Sequence, residues 1–382
     1  MKYYIIAGEA SGDMHGANLI RALAREDVAA DIRYWGGDSM AAAIAENPSL
    51  HAVQVRHIRE LAYMGIVEVV SHLGTILGNM RCCKKDILTY RPDIVILIDY
   101  PGFNLDIAKF AHQQGIKNLY YISPQVWAWK QGRLRKMRRY LDRLCYILPS
   151  ERPYYADGKL PQAVYVGHPL LDEVERYRST AVAGAEEKKS RPTVALLPGS
   201  RKQELRRMLP VMAELASRHP ECDFVIAGMS LIGEAFYREL TGKSSENIRI
   251  VYDQTYRLLG ESDAAVVCSG TATLETTLFR VPQVVCYQCN KLSAAMARVL
   301  IGDKIKYISL VNLIADSRVV TELIQSDFNV ERLDEEFRLI VREGEVRSAM
   351  LAKYDEVIET LGGKGASERT AAEVMKLITD RK

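Results

Sequence analysis

The sequence predicts an α/β protein built from two Rossmann-like parallel-sheet halves facing each other. Three observations carry this expectation. At 382 residues the chain is longer than one hydrophobic core usually supports, which implies two domains of roughly 150 to 200 residues each. Short β-branched and aromatic runs alternate with helical stretches, the pattern of βαβ units. A strand followed by a glycine turn occurs at Tyr3 to Gly8 and again, half a chain later, at Thr193-Val-Ala-Leu-Leu-Pro-Gly-Ser200.

In the first half the predicted strands are Tyr3–Ala7, Ile32–Trp35, Ile94–Ile98, Leu119–Ile122, Leu144–Leu148 and Val164–Val166. The second half supplies Thr193–Leu197, Phe224–Ala227, Ile248–Val251, Ala264–Val267 and Val284–Tyr287. A polar, irregular stretch between Leu170 and Arg191, with Ala183-Gly184-Ala185 before Glu186 and Lys188, reads as a linker or an exposed helix. The domains are therefore expected at 1–170 and 192–328, joined by a linker at 171–191. From Asn329 only helix is expected, over 330–361 and 367–378, as a C-terminal tail (329–382) packing back toward the first domain.

Composition excludes several classes. Hydrophobic residues make up 48% and charged residues 26%, ordinary for a globular protein. A net charge of +3 from 51 basic and 48 acidic side chains is too even for a dedicated nucleic-acid binder. No stretch approaches the ~18 apolar residues of a membrane span, and the first nine residues lack a signal sequence. Seven cysteines without framework spacing read as free thiols; Cys286 and Cys289 lack the second pair that a zinc site needs. No metal site and no cofactor are expected.

Ligands of open parallel sheets collect beyond the carboxyl ends of the strands, so polar residues that follow a strand are the first candidates. Gly8-Glu9-Ala10-Ser11-Gly12-Asp13-Met14-His15-Gly16 follows the first strand, and its glycine spacing does not fit the dinucleotide fingerprint. Glu9, Ser11 and Gly12 can approach a ligand there; Ser11 or Asp13 can equally cap the helix. Asp99 ends the apolar run Ile94–Ile98 and can act as a general base, or cap the next helix. Gly199, Ser200 and Arg201 open a helix whose free N–H groups and guanidinium suit a pyrophosphate. Ser269, Gly270 and Thr271 form a second such turn, with Glu275 one helical turn on to accept from ribose hydroxyls. Asp-x-Asp, the usual metal-diphosphate arrangement of sugar transferases, is absent, so transfer without a catalytic metal is expected.

Taken together, Gly8-Glu-Ala-Ser-Gly-Asp13, Met64-Gly-Ile-Val-Glu68, Asp99-x-Pro-x-Phe-Asn104, Ser123-Pro-Gln-Val-Trp-Ala-Trp129, Gly167-His-Pro169, Leu197-Pro-Gly-Ser-Arg201, Ser269-Gly-Thr-Ala272 and Ser309-Leu-x-Asn312 resemble the lipid A disaccharide synthases. The resemblance implies a GT-B fold with a central cleft. It implies an inverting transfer of 2,3-diacylglucosamine from its UDP-linked form to 2,3-diacylglucosamine 1-phosphate. It also implies roles for Glu9, Asp99, Arg201 and Asn312, with Asp99 the base. Gly102 and Val311 depart from residues frequent at those positions in the family.

Acylated substrates imply an apolar surface. Ile66, Val69, Val70, Leu73, Ile76, Leu77 and Met80 recur at helical spacing before Arg81, Lys84 and Lys85, as in an interfacial helix beside anionic lipid or a buried core helix. A basic run from Lys130 to Arg143 reads as a solvated face, as a phosphate-holding surface or as a headgroup contact. The expected setting is cytoplasmic and peripheral, on the inner face of the inner membrane, and a homodimer is compatible with it. A UDP-N-acetylglucosamine 2-epimerase of the same architecture is the alternative. A non-enzymatic sugar- or nucleotide-binding protein and a nicotinamide oxidoreductase fit less well.

Overall fold

The computed structural model describes residues 1–61, 73–124, 132–155, 158–180, 190–242, 247–289 and 306–379. The chain divides into two compact units, Met1–Glu173 with Gly363–Lys382, and Val174–Gly362.

In the first unit the strands are β1 (Lys2–Ala7), β2 (Asp31–Gly36), β3 (His51–His57), β4 (Ile94–Ile98), β5 (Lys117–Tyr121), β6 (Arg143–Tyr146) and β7 (Ala163–Tyr165). Its helices are α1 (Ala10–Glu26), α2 (Asp38–Ala45), α3 (Leu73–Tyr90), α4 (Pro101–Gln113), α5 (Gly132–Tyr140), α6 (Arg152–Tyr155) and, running across the division of the units, α7 (Leu170–Thr180). The parallel sheet has the order β3-β2-β1-β4-β5-β6-β7. Strand β4 reads Ile-Val-Ile-Leu-Ile and is buried throughout, because helices cover both faces of a parallel sheet and leave no side for polar residues.

The second unit continues with β8 (Thr193–Leu197), β9 (Asp223–Gly228), β10 (Ile248–Tyr252), β11 (Ala264–Cys268), β12 (Gln283–Tyr287) and β13 (Thr321–Ile324). Helices α8 (Lys202–Arg218), α9 (Glu234–Thr241), α10 (Thr255–Gly260), α11 (Thr271–Leu278), α12 (Leu310–Ala315), α13 (Val330–Val341) and α14 (Glu345–Thr360) accompany them, and α15 (Ala366–Thr379) belongs to the first unit. The order is β10-β9-β8-β11-β12-β13, again parallel.

Each sheet reverses its direction of growth once, between β1 and β4 in the first unit and between β8 and β11 in the second. Connections leave toward opposite faces at such a point, which opens a crevice at the carboxyl ends of the two central strands. Ala7 is in register with Ile98, so Gly8-Glu9 and Asp99 leave the first sheet side by side. Leu197 is in register with Val267, which does the same for the turns carrying Arg201 and Ser269.

Several expectations need correction. The strands β3 and β13 were not expected; no residue of β3 is buried and β13 has only four residues, so neither shows a strong apolar pattern. Of the stretch read as linker or exposed helix, Leu170–Thr180 is α7, and residues 181–189 lie outside the described set. The helical tail is divided: α13 and α14 pack within the second unit, and only the segment from Gly363 joins the first. That segment is held by Asp172, whose carboxylate accepts from the amides of Gly365 and Ser367 at 2.6 and 3.2 Å and so caps α15. Arg369 adds a bond to the Val166 carbonyl at 2.7 Å.

Candidate active site

In the first unit the crevice is built by close backbone packing. A β-carbon on Gly8 would lie 2.3 Å from the Tyr100 ring, so only glycine lets that ring lie across the end of β1. Glu9 precedes α1 without capping it through its side chain. Ser11 is half-buried in the first turn, and Gly12 is buried beneath it against Ala7. Asp13 caps α2 rather than its own helix: its carboxylate accepts from the amides of Gly37, Ser39 and Met40 at 2.6, 2.9 and 3.2 Å. Asp13 is therefore a structural residue within the glycine loop.

Asp99 and Tyr100 have φ of 45° and 50°, two successive left-handed residues, neither a glycine. Each such residue costs about 1–3 kcal/mol and persists only where its surroundings hold it. Here the Asn104 amide donates to the carbonyls of Ile98 and Asp99 at 3.2 and 2.8 Å, and the Tyr120 hydroxyl donates to the Asp99 carbonyl at 2.5 Å. Tyr100 rather than Asp99 takes the N-cap position of α4, and the Asp99 carboxyl accepts from the Tyr100 amide.

Burial pushes the Asp99 carboxyl up to about 6, and the negative charge of Glu9 adds to the shift, while Arg133 opposes it. A second carboxyl nearby, Glu151, is 1% exposed and accepts from the Ser123 hydroxyl at 2.5 Å. Its burial raises it to about 7, with the charge of Asp99 contributing in the same direction. Glu151 follows β6 and a proline, so the rule that singled out Asp99 could also have found it. His15 and His168 are buried too, which lowers them to about 4 and about 3 and keeps both neutral.

In the second unit Gly199 has a φ of 105°, and a β-carbon there would lie 2.5 Å from the Glu204 carboxylate. That carboxylate accepts from the amides of Ser200 and Arg201 at 3.0 and 3.2 Å and from the Arg201 guanidinium at 3.0 Å. The amides and guanidinium of this turn are thus taken by the helix's own Glu204, in a capping box. In the companion turn the Ser269 hydroxyl donates to the Ile308 carbonyl at 3.0 Å, Gly270 precedes α11, and Thr271 is its half-buried first residue. Glu275 is half-buried on α11 and accepts from the Tyr256 hydroxyl at 3.0 Å.

Asn312 is 1% exposed and its amide is spent on the fold. Its oxygen accepts from the amides of Val319 and Val320, and its nitrogen donates to the Val320 carbonyl and to Glu322. Through these bonds Asn312 holds the loop that runs to Val320. Glu322, absent from the sequence reading because it lies in the unexpected β13, also accepts from the amides of Ile308 and Ser309.

The sequence model of the lipid-A-disaccharide synthetase family matches residues 3–376. A lipid-A-disaccharide synthase from Syntrophus aciditrophicus (strain SB) is 39% identical over 384 residues, spanning 98% of this chain and 97% of the relative. The chain belongs to this family. As a member of the lipid-A-disaccharide synthases it is a glycosyltransferase. Solved structures share its fold at lower identity. The glycotransferase of kitacinnamycin aligns with a TM-score of 0.62 and 15% identity, covering 98% of each chain. A UDP-GlcNAc 2-epimerase from Neisseria meningitidis aligns with a TM-score of 0.63 and 12% identity, covering 98% of this chain and all of that one. These establish the GT-B fold, while the chain-wide family match favours the transferase over the epimerase.

Of the family strings, Met64 to Glu68 and the 125–129 part of the Ser123 string lie outside the described residues. So do Ile66, Val69 and Val70, and Leu73 opens α3 with its side chain undescribed. Ile76 is half-buried and Leu77 is 49% exposed, whereas Cys83 and Ile87 further along α3 enter the core. No helix among the described residues is long and apolar enough to cross a membrane.

The raised Asp99 carboxyl makes a thermodynamic prediction. Its ionisation is disfavoured in the fold, so it costs stability that is absent below about pH 4, grows as pH rises through about 6, and is constant above. Asp99→Asn is expected to exceed the parent in stability at pH 8 by ~1–3 kcal/mol and to match it below pH 4 in urea unfolding. Equal or lower stability of the variant at pH 8 would contradict the assignment.

Proposed function

We propose that the enzyme transfers 2,3-diacylglucosamine from UDP-2,3-diacylglucosamine to 2,3-diacylglucosamine 1-phosphate, with Asp99 as general base. The observation that carries this is the half-buried Asp99 carboxyl, raised to about 6, at the switch point of the first sheet. Such a group is ionised at neutral pH yet basic enough to take a hydroxyl proton. The acceptor's 6-hydroxyl gives its proton to Asp99 as its oxygen bonds to the donor's anomeric carbon. The bond from that carbon to the diphosphate breaks on the opposite face, which inverts the centre and releases UDP.

The second unit serves the leaving group. Arg201 and the amides of Ser200 and Arg201 are matched to an anion, as their present bonds to Glu204 support, and the diphosphate takes that place when Glu204 withdraws. Ser269, Gly270 and Thr271 at the start of α11 supply further donors, and Glu275, held by Tyr256, accepts from the ribose. Glu9 keeps Asp99 basic, and Ser11 and Gly12 line the acceptor loop. Asn312 contributes by fixing the loop that begins at Ser309, the residue beside the Ile308 carbonyl to which Ser269 donates.

The acyl chains of both substrates require an apolar contact, which the 66–77 stripe provides in this reading. It places the enzyme at the inner face of the inner membrane as a peripheral protein, where a homodimer is compatible with it. Flotation with anionic phospholipid vesicles is expected to carry the protein upward and to weaken in Leu77→Glu. Equal flotation of parent and variant would remove Leu77 from the contact.

The transfer itself is tested by UDP release from UDP-2,3-diacylglucosamine with and without the acylated sugar phosphate. Release is expected only with acceptor, and Asp99→Asn should lower it about 10²- to 10⁴-fold while UDP affinity stays within a few-fold. Undiminished turnover in that variant would exclude Asp99 as the base.

A further inference from the structure

We propose that Arg133 is the ligand for the phosphate of the acceptor sugar. Arg133 lies in the first turn of α5, and α5 packs on α4, which begins directly after the Asp99-Tyr100 turn. The orientation of α5 is fixed by side chains pointing elsewhere. Met137 is fully buried in the core, Lys136 pairs with Asp106 at 3.3 Å, and Lys109 lies over the Tyr140 ring at 5.9 Å. Arg135, Arg138 and Arg139 are exposed, whereas Arg133 is half-buried.

The charge of Arg133 acts on both the Asp99 carboxyl and the Tyr120 hydroxyl. Among the described residues no hydrogen bond or ion pair engages its guanidinium. A cation partly withdrawn from water with no hydrogen-bonded partner among the described residues recovers little of the hydration it loses. Its place in a first helical turn is unfavourable as well, since a cation there opposes the helix dipole. Both costs are explained if an anion arrives with the substrate.

The acceptor supplies such an anion in the right relation to the base. Its 6-hydroxyl and its 1-phosphate flank the ring oxygen of one pyranose, so base and phosphate ligand must stand near each other without pairing. Asp99 and Arg133 meet that condition: they interact electrostatically and are not joined as an ion pair. A guanidinium fork can hold two phosphate oxygens at once, which orients the sugar as well as binding it. The inference rests on the reading of Asp99 as base and of a sugar 1-phosphate as acceptor.

The test compares two acceptors, 2,3-diacylglucosamine 1-phosphate and the same sugar without phosphate, in parent and variant enzymes. The parent should prefer the phosphorylated acceptor. Arg133→Met should raise its KM by roughly 10- to 100-fold and leave the KM of the dephosphorylated sugar unchanged, the effect of losing a charge-assisted pair. Arg133→Lys keeps the charge without the fork and should fall between. It carries the comparison if the Met variant fails to bind UDP and so proves misfolded. Equal losses on both acceptors would overturn the proposal. So would preserved discrimination with a displaced acid limb of the pH profile, which would mean that Arg133 serves Asp99 instead. A parent enzyme that makes no disaccharide from either acceptor would instead refute the transfer reading on which the proposal stands.

Discussion

The reversal of strand order between β1 and β4 is the constraint from which the catalytic arrangement follows. It brings the ends of two fully buried strands into register and leaves the space beyond them open, so whatever follows Ala7 and Ile98 must face that space. The chain meets this demand with a glycine that admits the Tyr100 ring and with two left-handed residues that no local preference favours. Asn104 and Tyr120 hold the strained turn through its carbonyl groups.

Electrostatics divide the two units. In the first, burial and then the charge of Glu9 make the ionised form of Asp99 costly and raise its basicity, and burial likewise raises Glu151. Arg133 opposes the trend and keeps the carboxyl ionisable near neutrality. The second unit gathers donors at two strand-to-helix turns and, in the state described, satisfies one of them with its own Glu204. That turn is held in shape by bonds to its own carboxylate.

Much of this was legible in the sequence because each signal was local. A run such as Ile94–Ile98 has one reading in a parallel sheet, and the residue after it falls at the ligand-bearing edge by geometry alone. The edge strands were less legible: β3 mixes His, Gln and Arg with its apolar residues, and β13 is stabilised by pairing with β12 rather than by its own pattern. Asn312 and Asp13 sit in family strings as prominently as Asp99 does. Only the coordinates show that their polar atoms are consumed by Val319, Val320 and the start of α2. Glu204, Glu322 and Tyr256 escaped for the complementary reason, since their importance lies in partners distant in sequence or in a turn whose bonds are invisible until folded.

The central claim is that the carboxyl at position 99 is held in a form that ionises well above an ordinary aspartate. Carboxyl-carbon NMR of protein labelled at aspartate, compared between parent and Asp99→Asn, reads that group directly. The account requires a resonance missing from the variant that titrates near pH 6 and moves to lower pH in Glu9→Gln. A resonance that titrates near the usual ~3.9, unmoved by the change at position 9, would contradict it.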